Sequence, residues 1–356
     1  MRSLLVFAGA GASRGVSSSK YPMALDFRKR LPDAVTSSHL YIQLVEHLRQ
    51  SGLNDGVDIE HVLWELGRLS EGLGAWTEAG RFATHLLTSN QIGVVAQSSN
   101  SGPAVYGQLF NLRTIVNQLQ DQINECVYEF YSKEPNKKEL KSSWLPLLEN
   151  LFKASFMQVD IVTTNYDLVI EHALENLPSA AVDMGFSQGL YPGINLSTWR
   201  GNDNRGGLLT KLHGSVDWKI GNGGSESDPI IRRGHPEFDG DHKKRLILYP
   251  GFKGVPSREP FVAFHEYFRR RLQQTSHVLF IGFAFRDDFI NQLIASELMP
   301  TAKVVAVNPS SELPKLKFLE RAHHLKQGFG IRKDATLLET GGIQPFDVTD
   351  LNEWLS

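Results

Sequence analysis

The 356-residue sequence contains one cysteine, Cys126. A single thiol excludes an intramolecular disulfide and any zinc site built from several cysteines, and it suits a reducing compartment. A basic surplus is missing as well. The 37 lysines and arginines face 39 aspartates and glutamates, for a formal net charge of -2. General nucleic-acid binding rests on a basic excess, so direct nucleic-acid binding is not expected. No apolar run reaches the roughly 18 residues that would cross a membrane. The apolar N-terminal stretch is short and leads straight into glycines, unlike a signal peptide. The expected location is cytoplasmic. The first glycine turn lacks a Walker lysine, which argues against a triphosphate-hydrolysing loop. No internal repeat is present.

What is there is a set of short apolar runs. "SLLVFAG" (3–9), "VDIVTTN" (159–165), "HVLFIGF" (277–283) and "AKVVAVN" (302–308) are rich in Val, Ile, Leu and Phe without strict alternation. That pattern predicts parallel strands covered on both faces. "LLTKLHG" (208–214) and "RLILYPG" (245–251) are further strand candidates. Helical spacing follows two strands, at 167–177 and 287–298. The alternation predicts an α/β fold, a Rossmann-like doubly wound parallel sheet. Residues 36–155 carry three long segments with helical spacing and read as a helical insertion within a single domain spanning 1–356.

Strand ends in such sheets are where ligands bind. The first strand runs into Gly9-Ala10-Gly11-Ala12-Ser13. Glycines let backbone amides approach a phosphate, and a helix start favours negative charge. A tight turn without a ligand explains the same residues, and the third glycine of a dinucleotide fingerprint is absent unless Gly15 stands in. "TTNYD" (163–167) ends the second strand, with Asn165 and Asp167 able to face one crevice or Asp167 to cap the next helix. "KLHGS" (211–215) displays His213 after an apolar strand, where a general base would stand over a cleft. "FIGFAFRDD" (280–288) and "VVAVNPSS" (304–311) read as further loops of a nucleotide site.

In this order, Gly9–Ser13, Thr163–Asp167, Leu212–Gly214, Gly282–Ala284 and Asn308–Pro309 resemble the motifs of the sirtuin superfamily. The match is to its divergent bacterial branch rather than to the protein deacetylases. Those deacetylases carry two Cys-x-x-Cys pairs for zinc after the histidine motif. No cysteine lies between His213 and residue 245, so that zinc site cannot form and no metal is expected. The resemblance implies a sirtuin-like domain with NAD as substrate rather than retained cofactor, cleaved to nicotinamide and ADP-ribose. It further implies an effector of anti-phage defence that acts by NAD depletion. A non-catalytic sensor of NAD or ADP-ribose within a defence complex is the alternative.

On this resemblance Asn165 orients the ribose hydroxyls or the attacking water, and His213 is the general base. Asp167 receives the nicotinamide carboxamide, and Ala10, Gly11 and Ser13 cradle the pyrophosphate. Gly282 and Phe283 contact the dinucleotide through backbone, since Phe283-Ala284 replaces the usual Thr-Ser. Asn308 contacts the adenosine ribose. Residues 311–356 are too few for a separate sensor domain. Restraint is therefore expected from homo-oligomerisation or from a partner in trans, such as a HerA-type ATPase or a short Argonaute.

Overall fold

The strand Ser3–Ala8 (β1) is buried at every position, and its side chains divide between two apolar layers. Leu5 and Phe7 join one cluster with Val278, Phe280, Phe264 and Phe268. Leu4, Val6 and Ala8 join the other with Ala12, Ile161, Leu148 and Ile281. Successive strand residues point to opposite faces, so a strand with a core on each side must be apolar throughout. Each large side chain so buried contributes about 1.5–3 kcal/mol. The computed structural model describes residues 2–74, 102–154, 156–177, 182–187, 193–201, 206–220, 231–233, 245–249, 256, 258–307 and 329–332.

The remaining strands are Gln158–Thr163 (β2), Val182–Asp183 (β3), Gly207–Lys211 (β4), Gly214–Ile220 (β5), Ile231–Arg233 (β6), Arg245–Ile247 (β7), His277–Ile281 (β8), Lys303–Val307 (β9) and Phe329–Arg332 (β10). Seven of them form one sheet in the order β10-β9-β8-β1-β2-β4-β3. All its pairings are parallel. The doubly wound sheet expected from the apolar runs is thus present. β5, β6 and β7 form a separate antiparallel sheet. The run at 245–251, a further strand candidate, does form a strand, but it pairs antiparallel with β5 rather than joining the parallel sheet. A short apolar run specifies a buried strand but not its partner or direction.

The principal helices are Ala10–Val16 (α1), His39–Leu48 (α2), Ile59–Gly74 (α3), Gly102–Tyr131 (α4), Trp144–Lys153 (α5), Val169–Glu175 (α6), Phe261–Gln274 (α7) and Asp288–Glu297 (α8). The chain divides into two compact units. One comprises residues 1–23, 130–248 and 252–356, and the other 24–129 with 249–251. The second unit is helical in its described residues, with Tyr41, Val45, Leu48, Val62, Leu66, Val116 and Ile123 buried. The short helix at Lys137–Lys141 and α5 belong to the first unit.

In the first unit the chain moves from β1 to β2 on one side and later returns to β1 from the other side through β8. This reversal places a topological switch point at the carboxyl ends of β1 and β8, where open α/β sheets bind ligands.

Candidate functional site

At that switch point the two strand-end loops touch. The amide of Gly9 donates to Ile281 O and that of Gly11 to Gly282 O, both at 2.9 Å. A Cβ on Gly9 would lie 2.6 Å from Phe283 Cα, and one on Gly11 2.8 Å from Gly282 O. Gly282 itself has φ +59°, and a Cβ there would lie 2.1 Å from Ala12 N. The side chains absent from the first turn therefore make way for the neighbouring loop, where the sequence suggested room for a dinucleotide. The amide of Ala12 donates to Gly9 O at 2.9 Å, so three amides of the turn, those of Gly9, Gly11 and Ala12, are already engaged. Ala10 is the exposed member of the turn.

Asn165 is built into the next loop by backbone and hydroxyl bonds. Thr163 Oγ1 donates to Ala8 O at 2.8 Å and accepts from Asn165 N at 3.0 Å. Asn165 Nδ2 donates twice, to Gly9 O at 2.9 Å and to Ser13 Oγ at 2.8 Å. The side chain is fixed, yet its Oδ1 is buried with no hydrogen-bond partner among the described residues. An orphan acceptor in a buried place is costly unless a ligand donor completes it.

Ser13 passes its own hydroxyl hydrogen bond to Asp167. Asp167 also accepts from the amide of Val169, the first residue of α6, at 3.1 Å, while the N-cap position itself is Leu168. Burial pushes the Asp167 carboxyl above its ordinary range, while Lys211, Ser13 and the Val169 amide pull the other way. Lys211 holds this loop from below. Its ammonium donates to the Asp167 carbonyl and lies 2.7 Å from Glu171 Oε1, with both side chains at most 5% exposed.

His213 follows β4, the strand beside β2. Leu212 N donates to Thr163 O at 2.8 Å and Val216 N to Tyr166 O at 3.0 Å, which join the two strand-end segments. The His213 ring lies 6.4 Å from the Tyr166 ring. Its backbone carbonyl accepts from Leu248 N at 2.8 Å. Its Nε2 lies 3.5 Å from Asp287 Oδ2. Gly214 follows at φ +83°, where a Cβ would lie 2.1 Å from Leu246 O.

The structure thus brings together Ser13, Asn165, Asp167 and Gly282 around the first turn, and ties His213 to the Asn165 loop through backbone. The Phe283 ring packs into the core against Phe7 at 4.6 Å and Phe285 at 4.7 Å, leaving its backbone on the loop. Asn308 lies outside the described residues. Asp287, Lys211 and Glu171 were not singled out by sequence. Asp287 carried one usable signal, its place immediately before a helical pattern, where an N-cap residue is expected. Among the described residues no group of three or more His, Cys, Asp or Glu side chains could hold a metal. No helix among them is long and apolar enough to cross a membrane.

Residues 159–324 match the family model of the SIR2-like domain. Among solved structures, the chain is similar to one described under the structural basis for the mechanism and regulation of Sir2 enzymes. The identity is 12%, over 98% of this chain and 94% of that chain, with a TM-score of 0.37. None of the curated proteins matches the chain in sequence.

Proposed function

We propose that this chain, sirtuin-like through the SIR2-like domain at residues 159–324, hydrolyses NAD to nicotinamide and ADP-ribose. A SIR2-like domain implies binding or use of NAD; the hydrolase assignment goes further. The observation that carries it is Asn165, pinned by two hydrogen bonds with a buried, unpartnered Oδ1, on a loop joined by backbone to that of His213. A pure binding site has no need of both a fixed amide and an imidazole on two joined loops. The orphan Oδ1 fits the hydroxyl donors of a ribose, or of a water held beside it.

The chemistry asks little of the protein. The bond from ribose C1′ to the nicotinamide nitrogen breaks, and its electron pair stays with the nitrogen. Nicotinamide leaves neutral and the sugar carbon becomes electron-poor. Asn165 Oδ1 orients a hydroxyl or water against that carbon, and His213 takes the proton that water loses as the new C–O bond forms. Asp167, behind Ser13, suits the amide donor of the nicotinamide carboxamide. With the Gly11 and Ala12 amides engaged, the exposed Ala10 segment is the part of the turn open to the pyrophosphate.

The resemblance to the bacterial defence branch supports a wider reading: NAD depletion that halts an infected cell, under control of self-assembly or of a partner protein such as a HerA-type ATPase or a short Argonaute. The test is NAD consumption by the purified chain beside Asn165→Ala and His213→Ala, with products separated by chromatography. Nicotinamide and ADP-ribose from the wild type, with losses of about a hundredfold or more in each variant, are expected. Tight NAD binding without turnover, alone and with the candidate partner present, would refute hydrolysis and favour the sensor.

A further inference from the structure

The β8–α8 loop brings a carboxylate to the site that the scheme above does not use. Asp287 Oδ1 accepts from Ile290 N at 3.1 Å, the cap of α8, and its Oδ2 faces His213 Nε2 at 3.5 Å. The two side chains are 11% and 6% exposed. His265 of α7 lies near enough to feel the charges of both, and its Nδ1 bonds the Phe261 carbonyl at 2.8 Å. A carbonyl only accepts, so that nitrogen carries the hydrogen.

We propose that Asp287 is a positioning residue for His213: its carboxylate, fixed by the first turn of α8, holds the Nε2 edge of the imidazole and leaves Nδ1 as the edge that meets water or ribose. The rate consequence rests on the NAD-hydrolase reading; the pairing itself does not. At 3.5 Å the contact is too long for a strong hydrogen bond and close enough for an ion pair. The carboxylate therefore acts by charge, and most strongly once His213 has taken up a proton.

Among the described residues, Asp287 of the β8–α8 loop, His265 of α7 and Tyr166 of the loop after β2 lie near His213, while Lys211 of β4 turns its ammonium to Glu171 and the Asp167 carbonyl. Burial holds the His265 pKa down to about 4, with the charge of His213 adding to the effect and Asp287 opposing it. His265 is thus neutral near pH 7 and does not compete with His213 for the carboxylate.

The test is Asp287→Asn. Asparagine caps a helix as well as aspartate does, so the variant removes the charge and keeps the start of α8. Asp287→Ser, a cap without charge, serves if the first variant does not fold. Histidine ring nitrogens are followed by NMR in the full chain, with the His213 signals assigned by their loss in His213→Ala. The hydrogen of neutral His213 is expected on Nε2 in wild type and Asp287→Glu, and to shift toward Nδ1 in Asp287→Asn and Asp287→Ser.

With NAD as substrate, kcat is expected to drop about ten- to a hundredfold, with KM changed by less than about threefold. An unchanged His213 tautomer in folded Asp287→Asn overturns the proposal. A tautomer change in a protein that never turns over NAD keeps the pairing and rejects the hydrolase reading instead.

Discussion

Gly11 donates its amide to the carbonyl of Gly282, and neither residue has space for a methyl group. This contact closes the switch point between β1 and β8. Gly282→Ala meets two penalties: a left-handed backbone at φ +59° and a Cβ 2.1 Å from Ala12 N. Together they should cost about 2–5 kcal/mol. Gly52 has φ +104°, and a Cβ there would meet nothing within 4 Å, so Gly52→Ala should cost only the backbone share, about 1–2 kcal/mol. Urea unfolding of both variants separates crowding from backbone hand; equal losses would show that the loop contact yields to a side chain.

The buried Lys211–Glu171 pair should behave as a unit. Lys211→Met leaves a carboxylate enclosed without its cation and should destabilise by about 3–5 kcal/mol. Adding Glu171→Leu should recover most of that loss, because the charge that needed a partner is gone. A double-variant cycle in urea measures the coupling. Losses that simply add would mean that the two groups do not depend on each other.

Asp167 makes stability depend on pH in an unusual direction for an acid. Its folded carboxyl titrates above its ordinary value of 3.8 because burial disfavours the charge. The folded state therefore holds a proton that the unfolded state has released. The resulting stability is complete below about pH 4 and is lost as pH rises through the folded value. Asp167→Asn removes this dependence and keeps an acceptor for the Val169 amide. Its stability relative to wild type should rise with pH from about 4 upward, as read from urea midpoints at a series of pH values. A constant difference across that range would contradict the assignment.

The strands of the parallel sheet were legible wherever they are long and covered on both faces, as in β1, β2 and β8, and the apolar run of β9 was legible too. Two-face burial writes an apolar run that needs no partner to be recognised. β3 and β10 are too short for such a run, and β7 has the run but pairs antiparallel with β5. Within the candidate site, the strand-end placement of Asn165 and His213 was legible because each closes an apolar strand. Gly9 and Gly11 were visible as positions without side chains, but glycine does not say what excludes a Cβ. Here the neighbour is Gly282, far along the chain. The facing of Asp287 and His213 was invisible for the same reason: two loops meet only after the sheet has assembled.

That late meeting has a consequence for biosynthesis. β1 is made before both of the strands it pairs with, residues 158–163 on one side and 277–281 on the other. At about 5–20 residues per second, its second neighbour emerges tens of seconds after it. Until then the sequence Leu4-Leu5-Val6-Phe7-Ala8, fully buried in the finished protein, has one edge without its native partner. Such non-local pairing makes for slow folding and exposes apolar chain during synthesis. The strand that leads into the glycine turn is therefore also a segment of the nascent chain in need of protection from aggregation.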